Sequence, residues 1–345
     1  MSRFISGFEP ARGLVYYRAI RRFVTSLAHM IIGFTGSNGF IGSYLIRAVT
    51  TRRMGSVRVL LRSLPDAREF GAEIVHGDLL SPNDCERFAK DLDLIIYLAH
   101  CNAPVNSDVD PSNDAMLNIV PLLNLLQAIQ ALKRRPHVIY FSSGGAMYRR
   151  TSHRIPFTET DLCEPSSSYG IQKLAAEHYL RLAAEKGHLT CTVLRPGNAY
   201  GTLLPQHRMQ GLIGVAINNV LHEKPVRVFG SMNNVRDYVH LADICSIVEK
   251  VARPKEPFTI LNVGSGKGYS VKEVLQTIEE CVGSPLQIEM AQDPQYGPWL
   301  TDWVVLEVSK AQREFNWTPS VDLRDGIRAM VINWRAEAQL QIAQA

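Results

Sequence analysis

Short, almost wholly apolar runs alternate with stretches of helical periodicity between residues 30 and 196. A short apolar run between turn residues is typical of a strand that is buried on both faces of a sheet. The first run opens at Ile31 and Ile32, and the others lie at 57–61, 74–79, 94–100, 138–145 (with an exit loop) and 191–196. Apolar residues recur at helical spacing after the first run, over about 114–132, and after Ser166–Ser168, which can cap a helix. This alternation predicts an α/β fold with a doubly wound parallel Rossmann sheet and a ligand at the carboxyl ends of the strands.

The pattern becomes irregular after Pro196, where glycines, prolines and shorter elements replace the regular alternation. We therefore expect a Rossmann domain over 30–195, with a returning segment at about 241–262. A smaller C-terminal substrate-binding lobe is expected over 196–240 and 263–335. Residues 1–29 look like an extension, which is either a basic amphipathic helix for a membrane or partner or, as we favour, a loosely attached tail. They contain no signal for secretion.

The composition is that of an ordinary soluble globular protein, and 345 residues can bury a large core. A net charge of +4 is too small and too evenly spread to argue for nucleic acid. The six cysteines form no CxxC, no His and Cys spacing suggests a metal site, and no apolar run reaches transmembrane length. We therefore expect a cytoplasmic protein without a metal ion or a membrane contact.

The first apolar run leads directly into Gly36-x-x-Gly39-x-x-Gly42 and then into a helical pattern. Glycines allow a sharp turn and a close approach of the backbone to a pyrophosphate, and the helix N-terminus then faces its charge. Strand, glycine turn and helix in this order predict a dinucleotide-binding site.

The second strand ends at Arg62-Ser63, where a Rossmann domain that prefers NAD usually has an acidic residue. An arginine and a hydroxyl suit a 2′-phosphate, so NADP is slightly favoured over NAD. The alternative is that Arg62 stacks on adenine or is solvated.

Tyr169 and Lys173 are four residues apart on a predicted helix and so share one face. A nearby ammonium group lowers the pKa of a phenol, so Tyr169 could exchange a proton with a substrate hydroxyl while hydride moves to or from a nicotinamide. Ser143, or Ser142, could hydrogen-bond the reacting oxygen. The alternative for these serines is turn formation.

Several ordered motifs accompany these residues: Thr35–Gly42, Gly77-Asp78-Leu79, Leu98-Ala99-His100, Ser142–Tyr148, Tyr169-x-x-x-Lys173, Leu194–Gly201, Arg236–His240 and Asn262–Gly266. With them, the chain from about Ile31 to Trp334 resembles an extended short-chain dehydrogenase/reductase of the NAD-dependent epimerase/dehydratase family, similar to the UDP-glucose 4-epimerases.

The resemblance implies a role for each matching residue. Tyr169 would be the acid/base, with Lys173 also binding the nicotinamide ribose and Ser143 assisting. Asp78 and Leu79 would hold adenine, Leu98 and Ala99 would line the cofactor channel, and Asn198 and Arg236 would hold the diphosphate of a nucleotide-sugar. The remaining expected cofactor contacts are Gly36, Ser37, Asn38, Gly39, Phe40, Ile41, Arg62, His100 and Pro196, and Gly144 is an expected substrate contact. The alternative for Arg236 is a salt bridge with a local acid such as Asp237.

Three departures from the family pattern change this expectation. Gly144 stands where many members have a hydroxyl residue, and Arg62-Ser63 replaces the acid. No arginine occurs between Arg253 and Arg313, where relatives commonly place a second diphosphate ligand before the strand predicted at 304–308. Tyr296, Trp299 and Trp303 occupy that region instead.

We therefore expect an NAD(P)-dependent epimerase that acts on a nucleotide-sugar, with a UDP-sugar favoured, through a 4-keto intermediate. The alternatives are an NADPH-dependent ketosugar or small-carbonyl reductase and, less favoured, a regulator that binds NAD(P) without chemistry. We expect a homodimer.

Overall fold

The computed structural model describes residues 29–51, 55–62, 71–101, 107–132, 134–203, 211–291 and 302–344. Of the predicted extension at 1–29, the described residues include only His29. Ser63, Tyr296 and Trp299 also lie outside the described residues. Among the described residues, no helix has the length and apolar character needed to cross a bilayer.

A seven-stranded sheet forms the larger part of the molecule. Its strands are β1 (Ile31–Thr35), β2 (Ser56–Leu61), β3 (Glu73–His76), β4 (Leu94–Tyr97), β5 (His137–Phe141), β6 (Thr190–Pro196) and β10 (Phe258–Val263). They lie in the order β10-β6-β5-β4-β1-β2-β3, and every neighbouring pair is parallel. The order reverses at β1, so a crevice opens between the carboxyl ends of β1 and β4. The predicted doubly wound parallel sheet is confirmed.

Helices cover both faces of this sheet. They are α1 (Phe40–Thr51), α2 (Pro82–Ala89), α3 (Pro111–Ala131), α4 (Ser168–Glu185) and α6 (Leu241–Val251). Apolar side chains of α1 and α6 pack on one face around Phe34, while α2, α3 and α4 pack on the other around Ile95. The predicted helix at 114–132 begins three residues earlier, at Pro111, because Asp110 caps it by accepting a bond of 3.0 Å from Asn113.

The remaining elements form a smaller lobe with its own apolar core. Its strands are β7 (Asn198–Tyr200), β8 (Val226–Phe229), β9 (Val235–His240), β11 (Gly268–Ser270), β12 (Ile288–Ala291) and β13 (Trp303–Val304). Its helices are α5 (Leu212–Leu221), α7 (Val271–Val282) and α9 (Leu323–Gln344), whereas α8 (Ser309–Phe315) packs against β10 and joins the core of the seven-stranded sheet. Strand β9 pairs with β7, β11 and β13, which places it at the centre of this lobe. The strand predicted at 304–308 is shorter than expected, because Leu306 forms only an isolated bridge to Phe157.

Candidate active site

The glycine turn lies between β1 and α1, where the sequence predicted it. Gly36 has a φ of +72°, and a Cβ at this position would lie 2.7 Å from the backbone nitrogen of Ala99. A Cβ on Gly42 would lie 2.3 Å from the carbonyl oxygen of Gly36. The amide of Gly39 donates to that same oxygen over 3.0 Å and closes the turn just before Phe40 begins α1. This cradle, which side chains would fill, fits the pyrophosphate of a dinucleotide at a helix N-terminus.

Two cavities meet at this turn. The first has a volume of about 540 Å³ and is lined by Arg62, Asp78 and Leu79 from the ends of β2 and β3. The second has a volume of about 450 Å³ and reaches Tyr169 and Asn198. The cavities share four lining residues, which are Gly36, Gly39, His100 and Cys101. They therefore form one continuous trough across the carboxyl ends of the strands.

Most of the predicted cofactor residues line this trough. The first cavity is lined by Gly36, Ser37, Asn38, Gly39, Arg62, Asp78, Leu79, Ala99 and His100, and the second by Phe40, Ile41, Leu98, Tyr169 and Lys173. Ser143, Gly144, Pro196 and Arg236 are not among the described residues that line either cavity. Pro196 holds the serine loop instead, since its carbonyl oxygen accepts a bond of 2.8 Å from the amide of Gly144.

Helix α4 presents Tyr169 and Lys173 to the trough. Ser167 caps the helix by accepting a bond of 3.2 Å from Gly170. The Lys173 ammonium donates to the carbonyl oxygen of Phe141 over 2.8 Å and lies 5.6 Å from the centroid of the Tyr169 ring. Burial lowers the pKa of Lys173 to about 7, and the charge of Glu177 opposes this shift.

The pKa of Tyr169 moves in the direction opposite to the prediction. Burial raises the pKa of Tyr169 above its usual value, and a hydrogen bond with Ser143 partly opposes the rise. The prediction that this pKa would lie below its usual value is wrong for the structure, because the cost of burying a phenolate outweighs the opposing effect of Ser143.

The two serines after β5 take different partners. The Ser142 hydroxyl donates to the Glu177 carboxylate over 2.5 Å, while the Ser143 side chain acts on the Tyr169 phenol and lowers its pKa. Of the two alternatives, Ser143 is therefore the residue beside the phenol. Gly144 cannot carry a side chain without displacing Leu306, whose Cδ1 atom would lie 2.6 Å from its Cβ.

His100 lies where the two cavities meet. Its ring stands edge-on to the Tyr169 ring, with centroids 4.8 Å apart. Burial and the nearby Lys173 charge lower the pKa of His100 to about 2, so the imidazole is neutral. Its Nε2 atom is buried and has no hydrogen-bond partner among the described residues, which suits a polar group of a bound ligand.

A buried ion pair behind the serine loop escaped the sequence analysis. The Glu177 carboxylate accepts from Arg195 Nε over 3.0 Å and from Arg195 Nη2 over 2.6 Å. Arg195 Nη1 also donates to the Tyr148 hydroxyl over 3.2 Å, and that hydroxyl donates to Asn262 over 2.5 Å. Two signals could have revealed this pair: an arginine inside the apolar strand at 191–196, and a glutamate one turn after Lys173.

Strand β9 carries the polar residues of the smaller lobe. Arg236 and Tyr238 are two residues apart and so lie on one face, and the Tyr238 hydroxyl is hydrogen-bonded to Asn198. Burial lowers the pKa of Arg236, whose Nη1 donates to the carbonyl oxygen of Val235 over 2.8 Å. Among the described residues, no carboxylate lies within salt-bridge distance of Arg236.

Asp237 has other partners, so the alternative of an Arg236–Asp237 salt bridge is wrong. Its carboxylate is 2% exposed and accepts from the amide and hydroxyl of Ser265, both over 2.7 Å. It also accepts from the amides of Gly266 over 3.1 Å and Leu306 over 3.2 Å. Asp237 therefore ties β9 to two other segments and leaves the neighbouring guanidinium for another anion.

The chain is similar to known proteins over nearly all of its described length. The dTDP-4-dehydro-6-deoxyglucose reductase of Escherichia coli is 27% identical over 312 residues, which are 88% of this chain and 97% of the relative. The UDP-glucose 4-epimerase of Thermotoga maritima, solved with UDP-glucose, has a TM-score of 0.80 and 26% identity and covers 90% of this chain and 100% of its own. The UDP-glucose 4-epimerase of Thermus thermophilus, solved with NAD, has a TM-score of 0.79 and 29% identity and covers 89% of this chain and 99% of its own.

The model of one protein family matches residues 32–264, which contain the glycine turn, the serine loop and the Tyr169–Lys173 pair. The resemblance inferred from the ordered motifs is thereby confirmed: the chain belongs to the NAD dependent epimerase/dehydratase family.

Proposed function

We propose that the protein is an NAD(P)-dependent epimerase that inverts C4 of a nucleotide-sugar through a 4-keto intermediate. The observation that carries this proposal is the placement of Tyr169 and the buried Lys173 together at one end of the trough that begins at the glycine turn. A nicotinamide bound in the trough would supply a hydride acceptor and donor at that end.

Tyr169 would remove the proton of the C4 hydroxyl and later return it. Ser143 would hold the reacting oxygen against the phenol, because its side chain acts on the Tyr169 hydroxyl. Lys173 would hold a positive charge near the phenolate, since its pKa of about 7 leaves much of it protonated at neutral pH. For an epimerase, the 4-keto sugar must turn within the site before Tyr169 returns the proton, so the site must hold the nucleotide while it releases the sugar ring.

The diphosphate of the substrate is assigned to Arg236 and Asn198. Arg236 has a half-buried guanidinium without a carboxylate partner among the described residues, and a guanidinium forks two donors onto phosphate oxygens. Asn198 lines the second cavity and is tied to Tyr238 on the same strand face as Arg236. A UDP-sugar is the favoured substrate because the similar Thermotoga maritima enzyme was solved with UDP-glucose.

A ketosugar reductase is the second candidate, and the similar reductase of Escherichia coli favours it. The two reactions differ in what becomes of the cofactor. An epimerase regenerates its cofactor, whereas a reductase consumes one NADPH for each substrate. The test incubates the purified protein with UDP-glucose and, separately, with a 4-keto sugar nucleotide and NADPH. Formation of the C4 epimer without net change in absorbance at 340 nm supports the epimerase, and stoichiometric loss of that absorbance supports the reductase.

The adenosine end of the trough is proposed to accept NADP as well as NAD. Arg62 lines the first cavity next to Asp78 and is exposed, so its charge can reach a 2′-phosphate. The similar Thermus thermophilus enzyme was solved with NAD, which leaves the preference to be measured. Parallel titrations with both cofactors test it, and tight binding of NAD without binding of NADP would assign Arg62 to solvent or to adenine.

We also propose that the protein is a homodimer that pairs through α3 and α4. These helices lie side by side on one face of the sheet and expose apolar side chains to solvent, which are Met116, Val120, Ile171, Tyr179 and Leu182. Light scattering after gel filtration should give a dimer for the wild type, and Leu182→Asp should shift it to the monomer. A matched change at the exposed Ile288 on β12 should not, and a monomeric wild type would refute the proposal.

A further inference from the structure

The buried carboxylate of Glu177 has more partners than its ion pair alone requires. Glu177 and Arg195 are each 3% exposed, and Glu177 accepts from Ser142 as well as from two nitrogens of Arg195. Replacing a buried ion pair with apolar side chains is often neutral or stabilising, so stability alone does not explain its presence. Its place on α4 suggests another role, because Glu177 lies one turn after Lys173 and two turns after Tyr169.

The first consequence of this contact concerns the serine loop. The loop is fixed from β6 on two sides, since the amide of Ser142 donates to Leu194 and the amide of Gly144 donates to Pro196, each over 2.8 Å. The Ser142 side chain adds a third bond, to Glu177. Ser143 lies between these anchored neighbours, so its hydroxyl is directed to Tyr169 by bonds that it does not make itself.

The second consequence concerns the charge around Lys173. The groups that face Lys173 are Tyr169 and Glu177 on its own helix, Tyr140 from β5, and His100 from the loop after β4. Burial keeps the Tyr140 phenol neutral by raising its pKa, and it keeps the His100 imidazole neutral by lowering its pKa. Of the groups named here, Glu177 is therefore the one that presents a negative charge to the ammonium.

We infer that Glu177 is a positioning residue that, with Arg195, fixes the Ser142–Ser143 segment beside Tyr169 and places a carboxylate one helical turn from Lys173. This inference rests on the proposed function, since it assumes that Tyr169, Ser143 and Lys173 serve the proton transfer. It separates two tasks, which are the placement of Ser143 through Ser142 and the electrostatic support of Lys173.

Two variants separate these tasks. Ser142→Ala removes the bond from the loop but keeps the ion pair, so kcat should fall by roughly ten- to a hundredfold, as a misplacement of about 1 Å can produce, with little change in KM. The alkaline limb of its pH–rate profile, which reports the loss of the Lys173 proton, should stay at the wild-type pH. Glu177→Gln keeps the hydrogen-bonding shape but removes the carboxylate charge one helical turn from Lys173, so the alkaline limb should move to lower pH by about one unit.

A third variant covers the case in which Glu177→Gln does not fold. The double variant Glu177→Met/Arg195→Met removes both charges together and should retain a cooperative thermal transition. It should combine the loss of kcat with the shifted alkaline limb. If folded Ser142→Ala and the double variant both keep the wild-type kcat and pH profile, Glu177 has only a structural role and the inference fails.

A readout without turnover distinguishes this failure from a failure of the proposed function. In protein labelled with ¹³C at lysine Cε, the Lys173 resonance is identified by its loss in Lys173→Met. Its titration midpoint should be lower in Glu177→Gln and in the double variant than in the wild type. An unchanged midpoint overturns the electrostatic part of the inference even if no nucleotide-sugar is turned over, whereas a shifted midpoint in an inactive protein supports it and rejects the proposed reaction alone.

Discussion

Arg236→Ala is expected to weaken nucleotide-sugar binding without destabilising the fold. In the described part of the chain, Arg236 donates one hydrogen bond, to Val235, and has no carboxylate partner. Losing one such bond costs about 0.5–1.5 kcal/mol, and removing a half-buried cation whose charge is partly desolvated offsets part of this cost. The free energy of unfolding should therefore change by about 1 kcal/mol or less.

The effect on binding should be larger. A hydrogen bond to a charged group contributes about 1.5–3 kcal/mol, and 1.4 kcal/mol is a factor of ten in Kd. The chain has no arginine between Arg253 and Arg313, so under the proposed function Arg236 would carry a large share of the diphosphate's charge. We expect roughly ten- to a hundredfold weaker binding of UDP and UDP-glucose, with the affinity for NAD(P) nearly unchanged.

Isothermal titration calorimetry with UDP, UDP-glucose, and GDP- and dTDP-sugars measures this effect. Arg227→Ala is the matched control, because Arg227 is exposed on β8 and pairs with Glu289. Wild-type affinity in Arg236→Ala would remove this residue from the substrate site. If the wild type binds none of these nucleotides, the substrate is not a common sugar nucleotide.

Three further predictions use other parts of the molecule. Tyr169→Phe keeps the ring and removes the hydroxyl that is proposed to exchange the proton, so turnover should fall by roughly 10²–10⁴-fold; near-normal turnover would exclude Tyr169 from the mechanism. Arg62→Asp should shift cofactor preference toward NAD, because a carboxylate repels a 2′-phosphate; an unchanged ratio of the two affinities would place Arg62 away from that phosphate. Burial lowers the pKa of His137 from 6.5 to about 4, so the unfolded chain binds this proton first and stability should fall as the pH drops from 6.5 to 4. Urea denaturation at several pH values should show that the free energy of unfolding falls less in His137→Asn than in the wild type, by up to about 3 kcal/mol. Equal losses in the wild type and the variant would contradict this assignment.

The sequence was sufficient for the features that depend on local pattern. Parallel strands buried on both faces read as apolar runs, and the turn at Gly36 needs residues without a Cβ, so both were recognisable from the order of residues alone. The face shared by Tyr169 and Lys173 follows from helical geometry.

The sequence was insufficient for features that depend on burial and on distant contacts. The pKa of Tyr169 rises because the phenol is desolvated, and burial at this position results from the packing of separate elements. The choice between Ser142 and Ser143 depends on Glu177, which lies 35 residues from Ser142 along the chain. The alternative of an Arg236–Asp237 salt bridge could not be rejected from the sequence for the same reason, because the partners of Asp237, such as Ser265 and Leu306, come from other segments.

The alternation of side chains along β9 links the anion site to the register of a strand. Arg236 and Asp237 are consecutive and so point to opposite faces, with the aspartate fixed by four donors. If β9 slipped by one residue, the Arg236 guanidinium would face the amide donors that now bind Asp237, and the Asp237 carboxylate would face the proposed substrate diphosphate. Each of these contacts would be repulsive. Asp237 thus fixes the register of β9. Asp237→Asn, which weakens these hydrogen bonds, should reduce substrate affinity although Arg236 itself is unchanged.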